Sequence, residues 1–444
     1  MCGIIGSNFS SIGEMEVALE TIKNRGPDFQ KIEKVDNFYF GAARLAIQNL
    51  GSEYNQPMFY KNCVLLYNGE LWNQPEDGKY IIDSFLNKKE NSFIQLDGMF
   101  AFSIYYEGAL YLVRDYIGEI PIYYYADNNK FAFASELKAM MALGLKRKDV
   151  KLLEPGHYIK FKNSMEIHQY SKLDETPITD PQEVIIPKLR SLLIAAVEKR
   201  IPKEVNYSVM LSGGIDSTII TYLLSQINPN VIAYTIHVGD DGRKVKTNDL
   251  YFARKAAEWL KIELKEIIID EEYVLNHIEE TVKIIEAYSW TQNASGLCHI
   301  AMAKHIKEKV VFGGSGPDEY FAAYSQSKRW NYKTDEDYNR DRKSLIKNIN
   351  KNNIIRENKC LLSNSIELRS PYLQRELVEY AVNIDPKYRL LNKQTKPLLR
   401  MAFSEIPEEL LWRGKIPEGE GSDLDRLLHT QKDEIKQIYK RIYG

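Results

Sequence analysis

The second residue of this 444-residue chain is a cysteine, in Met1-Cys2-Gly3-Ile4-Ile5-Gly6. Excision of Met1 would place that thiol on the same residue as a free α-amine. A thiolate nucleophile beside an amine base is a complete small catalyst. An α-amine, with a reference pKa of about 7.7–8.0, accepts protons near neutrality. The competing reading is an ordinary buried thiol in a first strand. A second chemical signature is Ser212-Gly213-Gly214-Ile215-Asp216-Ser217, between strand-like Val209-Met210-Leu211 and a helical pattern. Glycines at such a junction let backbone N–H groups close around an anion, and the helix start adds partial positive charge. Ser212 and Ser217 can donate to phosphate. Asp216 cannot face phosphate unaided, which assigns it to Mg²⁺. The alternative is a strand–helix turn without a ligand.

The elements that must position these groups fall into two halves. Up to about residue 170 the pattern is short strands rich in β-branched and aromatic residues, such as Phe38-Tyr39-Phe40, Val64 to Tyr67, Phe100 to Tyr105 and Leu110 to Val113. Helices are expected near Met15 to Lys23 and Lys79 to Asn87. Thr176-Pro177-Ile178-Thr179-Asp180-Pro181 reads as a linker. Leu189, Leu192, Leu193, Ala196 and Val197 then follow helical spacing. Strands Val205 to Leu211, Val231 to His237, Leu264 to Ile269 and Val310 to Phe312 alternate with helices Thr218 to Gln226 and Asp249 to Leu260. That alternation argues for a parallel sheet covered by helices. Beyond about Tyr324 the chain reads as largely helical.

Composition narrows the field. A net charge of −2 leaves no basic footprint for nucleic acid, so the 29 tyrosines are assigned to buried strands. No signal-peptide pattern and no apolar run of membrane-spanning length is present. Four scattered cysteines without a C-x-x-C pair argue against disulfides and structural zinc and suit a reducing cytoplasm.

The glycine loop lacks the Walker pattern and resembles the PP-loop of ATP pyrophosphatases, which cleave ATP between the α and β phosphates. An N-terminal Cys followed by a PP-loop resembles the glutamine-hydrolysing asparagine synthetase family. The resemblance covers nearly the whole chain, with motifs in family order. It implies a class II glutamine amidotransferase domain over 1–175, an αββα sandwich of N-terminal nucleophile hydrolase type. A parallel-sheet PP-loop synthetase domain, with a helical C-terminal part, would occupy 176–444. The fold class is thus α/β and α+β in two domains.

The remaining roles are what this resemblance implies. Cys2 is the nucleophile. Arg25-Gly26-Pro27-Asp28 resembles the RGPD loop, and Arg44 would grip the glutamine α-carboxylate with a bidentate fork. Tyr67-Asn68-Gly69-Glu70-Leu71-Trp72-Asn73 resembles YNGEIYN. Asn68 and the Gly69 N–H would form the oxyanion hole. Glu70 and Asp77 would pair with the glutamine α-ammonium. Arg114-Asp115 and Ser135-Glu136 are scaffold landmarks. ATP contacts are implied for Leu211, Ser212, Gly213, Gly214, Asp216 and Ser217, and also for Ile236, Gly314 and Lys396. Gly313 to Glu319 resembles SGEGAD-E, which makes Asp318 the second Mg²⁺ ligand beside Asp216. Glu367, in a segment resembling SVEVRVPFLD, and Lys415 are the candidate catalytic residues of this half. A structural Glu367–Arg369 ion pair and a solvated Lys396 are the bland alternatives.

The match breaks at Ser315, where asparagine synthetases carry glutamate and β-lactam synthetases tyrosine. Pro317, Ala322-Ala323 and Gln374 are further departures in the same half. The expected function is a glutamine-dependent, ATP-dependent amide-forming ligase, with aspartate as default acceptor and asparagine as product. The alternatives are the same chemistry on another carboxylate or a nucleobase, or a relative that merely binds glutamine or nucleotide. ATP and Mg²⁺ are the expected cofactors, and a homodimer is left open.

Overall fold

The short strands of the first half build two six-stranded antiparallel sheets. The computed structural model describes residues 1–72, 74–239, 249–323, 332–391, 394–414 and 424–444. The first half comprises β1 (Cys2–Ser7), β2 (Phe29–Val35), β3 (Phe38–Arg44), β4 (Met58–Tyr60), β5 (Cys63–Leu71), β6 (Gly98–Tyr106), β7 (Ala109–Arg114), β8 (Tyr123–Asp127), β9 (Lys130–Ala134), β10 (Lys151–Leu152), β11 (His157–Phe161) and β12 (Met165–Gln169). One sheet runs β10-β8-β9-β1-β3-β2 and the other β12-β11-β7-β6-β5-β4. Their inner faces share one core, where Ile4, Phe40 and Ala42 meet Leu66, Ala101 and Leu112. The helices α1 (Ile12–Glu20) and α3 (Leu137–Ala142) cover the first sheet, and α2 (Asp77–Lys88) covers the second. The result is a helix–sheet–sheet–helix stack. The strand patterning required this, because central strands such as β1 and β6 are apolar on both faces and need cover on both.

After the 176–181 segment, α4 (Gln182–Lys199) leads into a five-stranded parallel sheet ordered β15-β14-β13-β16-β17. Its strands are β13 (Tyr207–Met210), β14 (Ile232–Val238), β15 (Leu264–Ile269), β16 (Val310–Phe312) and β17 (Glu367–Arg369). The first is shorter than its apolar pattern because Leu211 turns into the glycine loop, although its N–H still reaches the Tyr234 carbonyl at 2.8 Å. Helices α5 (Ile215–Ile227) and α6 (Asp249–Leu260) follow. The remainder is mainly helical, including Asp335–Ile349, Ile355–Leu362, Arg375–Val382 and Lys432–Tyr443. Tyr443 packs with Leu137 and Met140, so the last helix reaches back to the first half. Among the described residues, no helix is long and apolar enough to cross a membrane. All four cysteines are buried, and none is in a disulfide.

Arg114 and Asp115 have the scaffold roles expected of them. Arg114 donates to the carbonyls of Gly118, Ile120 and Leu153, at 2.7, 2.7 and 2.5 Å. The Asp115 carboxylate accepts N–H bonds from Ile117, Gly118, Glu119, Ile120 and Phe100, all within 3.3 Å. Removing it would orphan a buried turn. Asp115→Ala should therefore cost about 3 kcal/mol or more of stability, read as a drop in the denaturant midpoint.

Candidate functional site

Cys2 opens β1, and its register sets it directly opposite Arg44 on β3. Cys2 is a buried strand residue that also lines a cleft. The Cys2 N–H donates to Asn68 Oδ1 at 2.8 Å. Arg25 Nε donates to the Cys2 carbonyl at 3.2 Å, with its Nη1 on Glu136 at 2.7 Å. Gln56 Nε2 lies 3.6 Å from the Cys2 sulfur. With its oxygen engaged, Asn68 keeps a buried Nδ2 that has no partner. An orphaned donor beside a thiol suits an oxygen that acquires negative charge. Gly69 has φ 148°, and a Cβ there would sit 2.1 Å from the Met99 carbonyl oxygen, so only glycine fits.

The cleft beside Cys2 is partly open to solvent, and Arg44, Gly69, Glu70 and Asp77 line it. Arg44 holds the rim loop, donating to the carbonyls of Gly51, at 3.0 Å, and Asn49, and to Asn55 Oδ1 at 2.8 Å. Asp77 accepts from the Leu71 N–H at 3.0 Å and the Tyr67 hydroxyl at 3.1 Å. Burial pushes Glu70 up to about 8, against the pull of Arg369. Burial likewise lifts Asp77 to about 7, opposed by the Leu71 and Tyr67 bonds. The folded chain thus holds protons that the unfolded chain releases above about pH 4. Ionising the two groups costs stability as pH rises toward those values. A cationic ligand group between them would relieve that cost.

At the second site, Gly213 has φ 70° and packs against α6, where a Cβ would fall 2.4 Å from the Phe252 carbonyl carbon. Ser212 Oγ and Ser217 Oγ are 3.1 Å apart, and the Gly214 N–H reaches Ser212 Oγ at 3.3 Å. Leu211 is buried at the loop's entry, and Ile236 lies near the end of neighbouring β14. Gly314 touches the start of α5, its would-be Cβ 3.0 Å from the Ser217 nitrogen. Lys396 is buried rather than solvated, its Nζ 2.5 Å from Asp216 Oδ2 and 2.6 Å from Asp318 Oδ1. Two carboxylates from separate elements therefore converge on one cation, and Asp216 Oδ1 is buried without a hydrogen-bond partner. Two such carboxylates would suit a hard divalent ion. Among the described residues, no group of three or more His, Cys, Asp or Glu converges on a metal position. Lys415 lies outside the described residues.

Two placements were not legible in the sequence. Ser315 Oγ lies 2.9 and 2.8 Å from the two carboxylate oxygens of Glu357, on helix Ile355–Leu362. A carboxylate therefore stands beside the position where Ser315 breaks the family pattern; the separation along the chain gave no hint of it. Glu367 forms the ion pair with Arg369 that was the alternative to a catalytic role, at 2.7 Å, and its other oxygen takes the Met1 ammonium at 3.1 Å. Glu367, named from the sequence as a candidate catalytic residue of the second half, is thus in contact with the Met1 end of the Cys2 cleft.

The cleft at Cys2 and the glycine loop with Asp216 and Asp318 gathered on Lys396 are thus two separate candidate sites. Residues 188–345 and 333–440 match the asparagine synthase model, and residues 1–174 match the glutamine amidotransferase domain model. The chain belongs to the asparagine synthase family, as an enzyme of the glutamine-hydrolysing type: a ligase that forms amides with glutamine and ATP. A probable asparagine synthetase [glutamine-hydrolyzing] of Acanthamoeba polyphaga mimivirus is 26% identical, over 94% of this chain and 84% of its own. A putative asparagine synthetase [glutamine-hydrolyzing] 1 of Methanocaldococcus jannaschii is 28% identical, over 83% and 74%. The asparagine synthetase [glutamine-hydrolyzing] of Homo sapiens is 26% identical, over 94% and 83%.

Two outcomes follow for the cleft. Asn68→Ala should lower glutaminase kcat about 10²- to 10³-fold with little change in KM. KM for glutamine should fall as pH rises from about 6 to about 8, and Glu70→Gln should flatten that dependence, as read from initial rates across pH.

Proposed function

We propose that this protein makes an amide in two coupled steps, with the domains divided near residue 175. The Cys2 thiolate, with its own α-amine as base once Met1 is excised, attacks the glutamine side-chain carbonyl. The oxyanion is met by Asn68 Nδ2 and the Gly69 N–H. Collapse breaks the C–N bond, the departing nitrogen takes a proton as ammonia, and a glutamyl thioester remains. Water then releases glutamate. Arg44 orients the α-carboxylate, and Glu70 and Asp77 hold the α-ammonium.

At the second site, an acceptor carboxylate oxygen attacks the α-phosphorus of ATP, and pyrophosphate leaves. The loop Ser212 to Ser217 cradles the phosphates, with Leu211, Ile236 and Gly314 around the nucleotide. Asp216 and Asp318 would hold Mg²⁺, which neutralises phosphate charge, while Lys396 moves from the two carboxylates to a phosphate oxygen. Ammonia from the first site attacks the acyl-adenylate and AMP departs. Lys415 would steady the departing charge. Aspartate is the default acceptor, giving asparagine.

The observation that carries this reading is the convergence of Asp216, Asp318 and Lys396 on the glycine loop in a chain that also keeps a Cys2–Asn68 cleft. The Ser315–Glu357 pair favours a second reading, in which the acceptor is another carboxylate. A hydroxyl held by a carboxylate is a bonding partner unlike the family's lone glutamate.

Pyrophosphate release is the test, with ATP, Mg²⁺, glutamine and a panel of acids. Aspartate-dependent release supports the default. Its absence alongside normal glutaminase activity excludes aspartate and moves the search to other acids. Cys2→Ala should lose glutamine use and keep ammonium-driven amide formation; loss of both would contradict two separate sites. Glu357→Gln should lower ammonium-driven product formation at least tenfold if the pair serves the acceptor site, as steady-state rates would show.

A further inference from the structure

Glu70 lines the cleft on β5, yet its ion partner comes from the other half of the chain. Arg369, on β17, places Nη2 3.2 Å from Glu70 Oε1. The guanidinium is fixed on its other sides. Nε meets Glu367 Oε1 at 2.7 Å, and Nη1 donates to the Arg200 carbonyl at 2.6 Å. The Arg369 guanidinium carbon lies 5.6 Å from the centre of the Trp72 ring, and that of Arg200 lies 4.4 Å from it. Trp72 directly follows β5, so one short stretch of the amidotransferase half, Glu70 to Trp72, sits under two arginines of the synthetase half. Arg369 is 2% exposed and Glu70 5%. Water does not screen this pair as it screens surface pairs.

The same segment reaches the nucleotide loop. The Gly313 N–H donates to the Arg369 carbonyl at 3.0 Å, and the Tyr372 hydroxyl donates to the Asp216 carbonyl at 3.2 Å. Arg369 is therefore anchored to the framework of the second site while its charge meets Glu70, which lines the first. A buried carboxylate that must receive a substrate ammonium needs one fixed position, because its two oxygens can otherwise rotate toward Asp77 or the cleft mouth.

We infer that Arg369 is a positioning residue of the glutamine site: it holds the Glu70 carboxylate oriented for the glutamine α-ammonium. The synthetase half thereby completes the amidotransferase pocket. This rests on the reading of Glu70 proposed above. Arg369 does not touch the reacting atoms; it acts through Glu70.

The test is steady-state glutaminase kinetics on the full chain with Arg369→Met and Arg369→Lys, alongside ammonium-driven amide formation. Arg369→Met should raise KM for glutamine about tenfold or more, with a smaller loss in kcat. Its KM-versus-pH curve should move to higher pH, because the positive charge that lowers Glu70 is gone. Arg369→Lys keeps a charge but loses the fork, so its KM should fall between the two. In a Glu70→Gln background, Arg369→Met should add no further rise in KM. An unchanged KM in Arg369→Met, or additive losses in the double variant, would overturn the inference. If Arg369→Met does not fold, Arg369→Lys decides, and a KM and pH curve equal to the parent's would overturn it. A parent protein with no glutaminase activity would instead overturn the functional reading itself.

Discussion

The rest of the structure depends on a buried run of charge where the two halves meet. Glu367 is shared between the Met1 ammonium and Arg369, and Arg369 reaches on to Glu70. Every member is almost wholly withdrawn from water. Buried ions are costly unless paired, and losing one partner leaves the other uncompensated. The junction therefore favours one packing of the halves, because displacement would strand several charges at once. Further links reinforce it. Arg25 joins the Cys2 carbonyl to Asn358 at 3.0 Å, and Lys309 joins Asp28 at 2.8 Å. Lys359 pairs with Glu286 and also donates to the Tyr123 hydroxyl at 3.0 Å.

The amine on Glu367 is that of Met1. Under the proposed function Met1 would be excised, and Glu367 would then keep its pair with Arg369.

Much of the fold was legible in the sequence because its signals are local. Runs rich in β-branched and aromatic residues marked β3, β5, β6 and β7, and the bounds of β15 and β16 came out as the pattern had them. The glycine loop and Asn68-Gly69-Glu70 were legible because their chemistry is packed into consecutive residues. What the sequence hid was long-range pairing. Nothing near Ser315 announces Glu357, since a helix beyond an intervening segment delivers it. Glu367 and Arg369 looked like a local ion pair, which they are, but their outward contacts to Met1 and Glu70 depend on how the halves pack. Lys396 could have been a solvated helix charge; a left-handed backbone turn at φ 59° and two carboxylates bury it instead.

The central claim is that Cys2, at the enclosed end of β1, is the nucleophile that takes nitrogen from glutamine. Intact and peptide mass spectrometry of the purified protein, before and after an electrophilic glutamine analogue, tests it most directly. The account predicts a chain lighter by one methionine, with a single adduct on the N-terminal peptide and loss of glutaminase activity in step with labelling. A chain that keeps Met1, takes no label at Cys2 and still hydrolyses glutamine would contradict it.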